Sequence, residues 1–409
     1  MAQPRLAYLI SRYPAVSHTF ILREVLRLRE SGFEIHTASI NPPDRAAEKM
    51  PADERAEAAA TYCVKQTPLT TVLAELLACL LSTPGGMLRG LVRALHLGGA
   101  DLRALLYHLA YFVEAVLVGR WMRSRRVGHL HVHFATPAAT VGLLTSRIFG
   151  ASLSLTVHGP DEFYNVAGYR LAEKIEAASF VCCIGRYCRS QLMKLSAPDL
   201  WDRFEISPLG VDPAEYAPRP EPSTANGFEL LCVGRLVPAK GQMVLLHALK
   251  ALAETGYPVR VHFAGDGPDR PALEGFVARH GLKAHVLFHG SLNPDDVRAL
   301  LRRAHAFVLP SFAEGIPVAL MEAMAMEIPC VSTVITGIPE LIDSGRDGLL
   351  VPASDAEALA TAIVRLMEDA GLRGALAAAG RRKILDRYNL PANVEHLAGI
   401  FARRLAEAA

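Results

Sequence analysis

Two carboxylates, Glu314 and Glu322, share one apolar stretch of the chain and are the most informative of its chemically active residues. The preceding run His305–Leu309 predicts a buried strand, and Pro317 suits the first position of a helix, where no N–H is missed. Glu314 is then predicted in the loop and Glu322 on the helix. One carboxylate would reach the reacting part of a ligand while the other holds a more distant polyol part.

The start of this predicted helix also offers donors for an anion. Gly315 and Ile316 lead through the proline to Val318 and Ala319. The N–H groups of these two residues have no partner inside the helix, and the positive end of the helix dipole lies beside them. The loop therefore predicts a site that combines carboxylates with backbone N–H groups.

Cations for a phosphate ligand come from an upstream loop. The predicted strand Phe228–Val233 is followed by Gly234, which lets the backbone turn tightly, and then by Arg235 and Lys240. A forked guanidinium and a compact ammonium would bind a diphosphate without an obligatory metal ion. Such a pair alone is equally typical of a solvated face, but the order and spacing of both motifs together favour a ligand site.

Three segments carry a resemblance to a known family. Gly234–Gly241, the Gly265–Pro268 turn and Glu314–Glu322 resemble the donor-site signature of glycosyltransferase family 4, the retaining enzymes of the GT-B fold. The resemblance spans nearly the whole chain. Tyr13–Phe20, with Glu314–Glu322, further resembles bacterial exopolysaccharide transferases, including colanic-acid-type enzymes.

The resemblance implies an activity and its partners. The donor would be a UDP- or GDP-sugar, the acceptor a glycan or a lipid-linked oligosaccharide, and no metal or other cofactor would take part. Arg235 and Lys240 would stabilise the diphosphate leaving group, Glu314 would hold the sugar hydroxyls and Glu322 the ribose. No residue is an obvious nucleophile, in keeping with the front-face reaction proposed for the family.

Short apolar runs alternate with amphipathic helical segments in two successive sets, which predicts an α/β fold with parallel sheets covered by helices on both faces. The predicted strands are Leu6–Ile10, Glu34–Ser39, His129–Phe134, Leu153–Val157, Phe180–Ile184 and Phe204–Ser207, then Phe228–Val233, Val259–Ala264, His285–Phe288, His305–Leu309, Pro329–Thr333 and Gly348–Val351. The resemblance implies that the two sets are Rossmann-like domains whose sheets face a central cleft.

The expected domain boundaries follow from composition and from the resemblance. Residues 1–212 would form the acceptor-side domain, with a helical, basic amphipathic insert at about 66–126. A proline-rich linker at 213–227 has no periodicity and would lead to the nucleotide-sugar domain at 228–390. The closing helix at 391–409 would cross back to the first domain.

The N-terminal half is expected to supply the acceptor side and one residue at the reacting centre. His158 follows a predicted strand, and in the family the histidine at the matching place lies near the donor sugar; a lone histidine is also often only structural. The acceptor-side predictions are Ser17, His18, His133 and Asp161. Ser17 precedes a helix and alternatively serves only as its cap.

Three histidines alternate along one predicted strand and so share a face, namely His129, His131 and His133. This arrangement resembles a metal site, but three ligands in a row on one strand cannot easily surround a tetrahedral ion. With no Cys, Asp or Glu expected nearby, a structural role is favoured, and we expect no bound metal.

Composition narrows the class of protein. The chain has 409 residues, of which 51% are hydrophobic, so it can bury sizeable cores, and its net charge of +2 argues against nucleic-acid binding. The 7 cysteines are odd in number and scattered, as expected for reduced core residues. The first predicted strand is too short for a signal sequence. We expect a cytoplasmic enzyme that could also lie on the inner face of the cytoplasmic membrane.

The segment 66–126 leaves two interpretations open. Its apolar stretches Val72–Leu81 and Leu105–Val118 are interrupted by charges, which predicts that they do not span a bilayer. Leu88, Val92 and neighbouring apolar residues fall on one helical face, and several arginines fall on another. Such a segment would lie on anionic lipid or would simply pack on the N-terminal sheet.

Two other functional classes stay open. A nucleotide-sugar epimerase of the same fold would interconvert sugars without an acceptor, and a non-catalytic sensor would bind a nucleotide sugar without consuming it. A nicotinamide dehydrogenase is disfavoured because no Gly-x-Gly-x-x-Gly motif follows the first strand.

Overall fold

The computed structural model describes residues 5–407, without the side chains of Ser17 and Asn226. Contacts divide the chain into two compact units. The N-terminal unit comprises Met1–Ser207 with Val394–Ala409, and the C-terminal unit comprises Pro208–Asn393.

The N-terminal unit is built on a seven-stranded, wholly parallel sheet within the described residues. Its strands are β1 (Arg5–Arg12), β2 (Glu34–Asn41), β3 (Tyr62–Cys63), β4 (His129–His133), β5 (Ser152–Val157), β6 (Phe180–Cys183) and β7 (Phe204–Ile206), in the order β3-β2-β1-β4-β5-β6-β7. The apolar runs predicted these strands except β3, whose two residues are too few for a periodic pattern.

Helices connect these strands. They are α1 (Thr19–Glu30), α2 (Ala52–Ala60), α3 (Leu69–Ser82), α4 (Pro84–Gly98), α5 (Leu102–Ser124), α6 (Pro137–Phe149), α7 (Pro160–Phe163), α8 (Leu171–Ala177) and α9 (Arg186–Lys194). Crossover connections of this kind are what parallel strands require.

Helices α3, α4 and α5 form the insert that the sequence places at about 66–126, and they pack on one another. α5 has 23 residues and is, by length and composition, long and apolar enough to cross a membrane, a test that core helices of soluble proteins also pass. That this segment does not span a bilayer therefore stays a prediction. Its C-terminal half, including Phe112, Val116 and Met122, belongs to the core of the N-terminal unit. α3 and α4 together pass the same test, but they are bent by 115° at their junction.

The C-terminal unit contains a six-stranded parallel sheet within the described residues. Its strands are β8 (Phe228–Val233), β9 (Val259–Ala264), β10 (Val286–Gly290), β11 (Ala306–Leu309), β12 (Cys330–Thr333) and β13 (Leu349–Val351), in the order β10-β9-β8-β11-β12-β13. Its helices are α10 (Gln242–Glu254), α11 (Arg270–Arg279), α12 (Pro294–Leu301), α13 (Val318–Ala325), α14 (Ile338–Leu341), α15 (Ala356–Glu368) and α16 (Ala370–Arg387). Each strand predicted for this half of the chain is present, so the α/β fold with two parallel sheets is confirmed.

The last helix, α17 (Leu390–Glu407), begins in the C-terminal unit and continues in the N-terminal unit. Phe401 is fully buried there, with ring centroids 5.0 Å from His131 and 5.8 Å from Phe180. Arg403 and Arg404 both pair with Glu205 on β7. The apolar and ionic contacts together hold the helix on the sheet.

The proline-rich segment predicted as a linker packs within the C-terminal unit. Tyr216 is buried, and its carbonyl accepts a hydrogen bond from Arg381 Nη1 at 3.0 Å. Arg219 donates to the carbonyl of Ala304. Buried side chains of this kind give the segment a defined conformation, although its sequence has no periodicity.

Candidate active site

The residues of the predicted donor site meet at one edge of the C-terminal sheet. β8 and β11 are neighbours, and β9 flanks β8 on the other side. The loops after these three strands therefore lie side by side, because parallel strands end at the same edge. A Cβ on Gly265 would come within 2.0 Å of the Gly234 carbonyl oxygen, and Gly265 has φ +147°, so only glycine suits this crossing of two loops.

The structure brings Lys240 and Glu314 into direct contact. The distance from Lys240 Nζ to Glu314 Oε1 is 2.6 Å, and Ser311 Oγ donates to the same oxygen at 2.7 Å. Glu314 is only 7% exposed. Because an ammonium has three N–H donors, Lys240 keeps two for another anion while it holds the buried carboxylate in place.

The loops that carry this pair are also joined through their backbones. Phe312 N donates to Ala239 O at 2.8 Å. A Cβ on Gly241, which has φ +64°, would meet the Pro310 carbonyl oxygen at 2.1 Å. The loop after β8 and the loop after β11 thus approach each other so closely that only glycine fits at position 241.

Arg235 differs from Lys240 in its surroundings. Its side chain is exposed and makes no hydrogen bond or ion pair within the described residues. Its carbonyl, by contrast, accepts a bond of 2.8 Å from Nε2 of the buried Gln242. A fixed backbone with an exposed guanidinium fits a group that binds an anion from solution.

The helix α13 begins at Val318, one residue after Pro317, which the sequence places at the first helical position. Leu320 N and Met321 N both donate to Pro317 O, at 3.1 and 3.4 Å. Val318 and Ala319 precede them, and their N–H groups make no hydrogen bond in the part of the chain that the structure describes. These groups are the free donors of the helix start.

The loop before α13 is braced from the neighbouring connection after β12. Thr336 Oγ1 accepts from Glu314 N at 3.2 Å and donates to Glu314 O. A Cβ on Gly337 would come within 2.0 Å of the Gly315 carbonyl oxygen and 3.3 Å of Ile316 Cγ1. The position of Glu314 to Ile316 therefore depends on a residue without a side chain at 337.

We expect Gly337→Ala to displace this loop. Gly337 has φ −88°, which alanine adopts freely, so the cost comes from the contact with Gly315 and not from backbone strain. Overpacking of this type typically costs about 1–3 kcal/mol. Thermal unfolding should show a lower melting temperature, and ligand stabilisation by a nucleotide sugar should weaken. As a control, Gly374→Ala meets nothing within 4 Å and lies inside α16, where alanine is the better helix former. It should not lower the melting temperature and should leave the ligand stabilisation unchanged.

Glu322 has a partner that sequence reasoning missed. The hydroxyl of Tyr216 donates to Glu322 Oε1 at 2.7 Å. Tyr216 belongs to the segment assigned as a linker, and the two residues are 106 positions apart. A buried tyrosine thus orients the carboxylate that the sequence assigns to a ribose. A single aromatic residue in a proline-rich segment was the only signal available for it.

In the N-terminal unit, His158 ends a chain of buried hydrogen bonds. Tyr8 donates to Glu24 Oε1 at 2.9 Å, and His133 Nε2 lies 3.2 Å from the same oxygen. His133 Nδ1 lies 3.1 Å from His158 Nε2. Nδ1 of His158 is buried without a hydrogen-bond partner among the described residues.

When the imidazole rings are neutral, the carboxylate of Glu24 determines the direction of each hydrogen bond in this network. The carboxylate of Glu24 accepts, so His133 carries its proton on Nε2 and accepts at Nδ1. His158 then donates from Nε2 and presents a lone pair at Nδ1. Burial, with the neighbouring His133 and His18, holds the pKa of His158 well below its usual value, which favours this neutral form.

The backbone around His158 is held by Glu162, another residue that the sequence analysis missed. Glu162 accepts bonds from the N–H groups of His158 and Gly159, at 2.5 and 2.9 Å, and from Ala135 N. Burial raises its pKa to about 7, and these N–H groups oppose that rise. Asp161 beside it is exposed and makes no described hydrogen bond. A Glu placed three residues after the Gly that precedes a helix is a recognisable capping signal.

The other acceptor-side predictions have different surroundings. The His18 ring lies 4.9 Å from the Phe134 ring, and Phe134 in turn lies 4.3 Å from His158, so His18 belongs to the same aromatic group. His133 is fully buried. The side chain of Ser17 lies outside the described residues.

The histidines of β4 form a hydrogen-bonded ladder with β5. His129 bonds Ser152 and Ser154, and His131 bonds Ser154 and Thr156, at 2.6 to 2.9 Å. Burial lowers the pKa of His129 to about 4.

The premise that no acid lies near these histidines was wrong. Ligand atoms of Glu24, His131 and His133 lie within 4.8 Å of one another, as a metal ion would require. Both ring nitrogens of His131 are already engaged by hydroxyl groups. The residues therefore fit a hydrogen-bonded network better than a metal centre, and the absence of a metal cofactor stays a prediction.

Solved structures share this architecture. HepE from Anabaena, solved in complex with UDP and glucose, has a TM-score of 0.75 to this chain at 17% identity, covering 98% of this chain and 100% of HepE. Sucrose-phosphate synthase from Thermosynechococcus elongatus has a TM-score of 0.75 at 18% identity, covering 100% of both chains. At these identities the likeness shows the fold alone, which is the GT-B fold of glycosyltransferases.

Sequence comparison adds the family. Residues 227–369 match the family described as glycosyl transferases group 1. The putative colanic acid biosynthesis glycosyltransferase WcaL of Escherichia coli K12 is 28% identical over 367 residues, 87% of this chain and 89% of its own. The amylovoran biosynthesis glycosyltransferase AmsK of Erwinia amylovora is 27% identical over 418 residues, 98% and 99% of the two chains. Residues 227–369 thus form a glycosyl transferases group 1 domain, and over most of its length the chain is similar to glycosyltransferases of exopolysaccharide biosynthesis, as the resemblance indicated.

Proposed function

We propose that this protein is a retaining glycosyltransferase that moves a sugar from a nucleoside-diphosphate sugar to a glycan or lipid-linked acceptor, in exopolysaccharide or cell-surface glycan biosynthesis. The observation that carries the proposal is the partly buried pair between Glu314 and Lys240 of the loop after β8, which also carries the exposed Arg235, together with the free start of α13. Relatives named for colanic acid and amylovoran biosynthesis, and a fold neighbour solved with UDP-glucose, support the substrate class.

The diphosphate would bind among the donors at the sheet edge. Arg235 and Lys240 would neutralise it, with the N–H groups of Val318 and Ala319 contributing from the helix start. As the C1–O bond breaks, the charge that develops on the leaving group would be held by donors already in place. This charge balance needs no metal ion, so we propose a metal-independent reaction.

Carboxylates and a histidine would orient the rest of the donor. Glu314 accepts bonds from sugar hydroxyls, and Glu322, oriented by Tyr216, accepts from the ribose. His158 presents a buried lone pair at Nδ1, which suits a hydroxyl of the reacting sugar. The departing phosphate oxygen takes the proton of the acceptor hydroxyl while that hydroxyl attacks C1 from the same face. The anomeric configuration is thereby retained.

A panel of UDP-, GDP-, ADP- and dTDP-sugars in a thermal unfolding assay tests the proposal, because a ligand that binds only the native state raises its stability. One nucleotide class should stabilise the parent protein but not the Arg235→Ala/Lys240→Ala variant. Arg279→Ala/Lys283→Ala, which removes two exposed cations elsewhere in the same unit, should respond like the parent.

The outcomes separate this proposal from the two other classes. The proposed donor site would be contradicted if no nucleotide sugar stabilised the parent protein. It would also be contradicted if the parent and the Arg235→Ala/Lys240→Ala variant were stabilised equally. Interconversion of the bound sugar without an acceptor would point to an epimerase. Binding without any turnover, in the presence of membrane extracts that contain acceptors, would point to a sensor.

A further inference from the structure

Helices α3, α4 and α5 expose an apolar surface, which we call the leucine face. Its members are large apolar side chains that are 42% to 76% exposed: Leu69, Leu73, Leu77, Leu80, Leu81, Leu88, Val92, Leu95, Leu102, Leu106 and Tyr107. Single exposed leucines are ordinary, but an exposed group of this size on neighbouring helices marks an interaction site.

The leucine face of α4 is opposite the face by which the helix packs. Leu88, Val92 and Leu95 recur at helical spacing and point to solvent. The packed face carries glycines, where a Cβ on Gly86 would lie 2.1 Å from the Ile148 carbonyl oxygen and one on Gly90 would lie 2.3 Å from Ile148 Cγ1. The glycines let α4 approach α6 closely, so the larger apolar residues are not needed for the core.

Helix α3 likewise exposes leucines on the side opposite its packing contacts. The helix has five exposed leucines on one stripe, and its only fully buried side chain among those described is Cys79. Glu75 pairs with Arg120 of α5 at 2.6 Å, which holds α3 against the unit. The leucines stay outward because the helix is fixed by its opposite side.

Positive charge flanks the leucine face. Arg89 and Arg103 are exposed on α4 and α5. The nearby acid Asp101 accepts the N–H of Ala104 at 2.6 Å and so caps α5. The other acid of α3 to α4, Glu75, is paired as described above. An apolar face with cationic flanks matches an anionic bilayer, where leucines enter the interface and arginines meet lipid phosphates.

We propose that the leucine face docks the N-terminal unit on the surface of an anionic lipid bilayer. A second copy of this chain fits less well, because pairing the face with itself would bring its arginines together. Insertion of α5 across the bilayer fits less well too, because its second half is in the protein core. The proposal does not depend on the chemistry proposed above, but it would bring the enzyme to the surface where a lipid-linked acceptor resides.

Sedimentation with lipid vesicles tests the proposal. The full chain should sediment with vesicles of phosphatidylglycerol and phosphatidylcholine in equal parts, and much less with phosphatidylcholine alone. Raising the salt concentration should weaken the binding, because surface charges are screened. Arg89→Gln/Arg103→Gln should bind about thirtyfold more weakly, the effect of two arginines at the lipid surface.

A leucine variant and its control address the apolar part. Leu73→Gln/Leu77→Gln/Leu88→Gln should bind at least about 100-fold more weakly and keep the parental melting temperature, because these side chains are exposed in the folded protein. Leu287→Gln/Leu385→Gln, which changes two leucines that are 40% and 41% exposed in the C-terminal unit, should bind like the parent.

Three results would overturn the proposal. The first is an absence of binding to anionic vesicles at low salt. The second is equal binding by the parent and the leucine variant. The third is a concentration-dependent dimer in sedimentation velocity that the leucine variant abolishes, since the face would then belong to a second copy of the chain. Donor stabilisation is measured without lipid, so failure here would leave the proposed transferase activity untouched.

Discussion

Lys240→Ala and Arg235→Ala should each lower turnover by about 100-fold or more, the scale of losing one donor that stabilises developing charge. Lys240→Ala should be the more damaging of the two. It removes a cation from the ligand and also leaves the carboxylate of Glu314, which is 8% exposed at its side chain, without its ion-pair partner. Arg235 is exposed, and its loss leaves no buried group unpaired.

The measurement is release of the nucleoside diphosphate from the donor that stabilises the protein, at saturating donor. Lys250→Ala is the matched control. Lys250 also pairs with a glutamate, Glu254, at 2.7 Å, but both side chains are substantially exposed and such pairs contribute little. Turnover near the parental value in both Arg235→Ala and Lys240→Ala would refute the assigned roles.

Glu314→Ala should also lower turnover by about 100-fold or more, because it removes the proposed contact to the sugar and the group that holds Lys240. The turnover of the double variant Lys240→Ala/Glu314→Ala shows whether the two residues act together as an ion pair or independently of each other. Side chains in direct contact at 2.6 Å should show strong coupling. We therefore expect the double variant to be only a little worse than either single variant.

A full double-mutant cycle measures this coupling from the four turnover numbers at saturating donor. If the two losses multiply, to about 10,000-fold, the residues act independently and the ion pair has no role in holding Lys240. Thermal unfolding of all four proteins is the control, because loss of folded protein would imitate both results. Glu314→Gln keeps the bond from Ser311 and should fall between the parent and Glu314→Ala.

The hydrogen-bond network around His158, within the described residues, shows what local sequence patterns can predict and what they cannot. The pattern of β4 indicated that three histidines share a face, and the strand end indicated an exposed functional edge. Neither pattern could show that Glu24, which is 109 positions from His133, sets the direction of the hydrogen bonds. The assumption that no acid was near failed because α1 and β4 meet only in the folded unit.

Glu322 and its partner show the same limit. The spacing of the two carboxylates on a loop and a helix was readable, because helices and strand ends leave local signatures in the sequence. The role of its partner Tyr216 could not be predicted, because the segment around this residue has no periodicity and its sequence resembles a linker. Its side chain is buried by contacts with residues far away in the chain.

The sequence by itself determined the two parallel sheets, the order of their strands along the chain and the loops that carry Arg235, Lys240 and Glu314. These features depend on neighbouring residues: apolar runs form strands buried on both faces, and glycine, proline and charge after a strand end mark a binding loop. Only the tertiary structure decided that Lys240 pairs with Glu314 and that α4 turns Leu88, Val92 and Leu95 to solvent. Those outcomes depend on which distant backbones approach each other. The close approach of α4 to α6 is possible because Gly86 and Gly90 have no side chains.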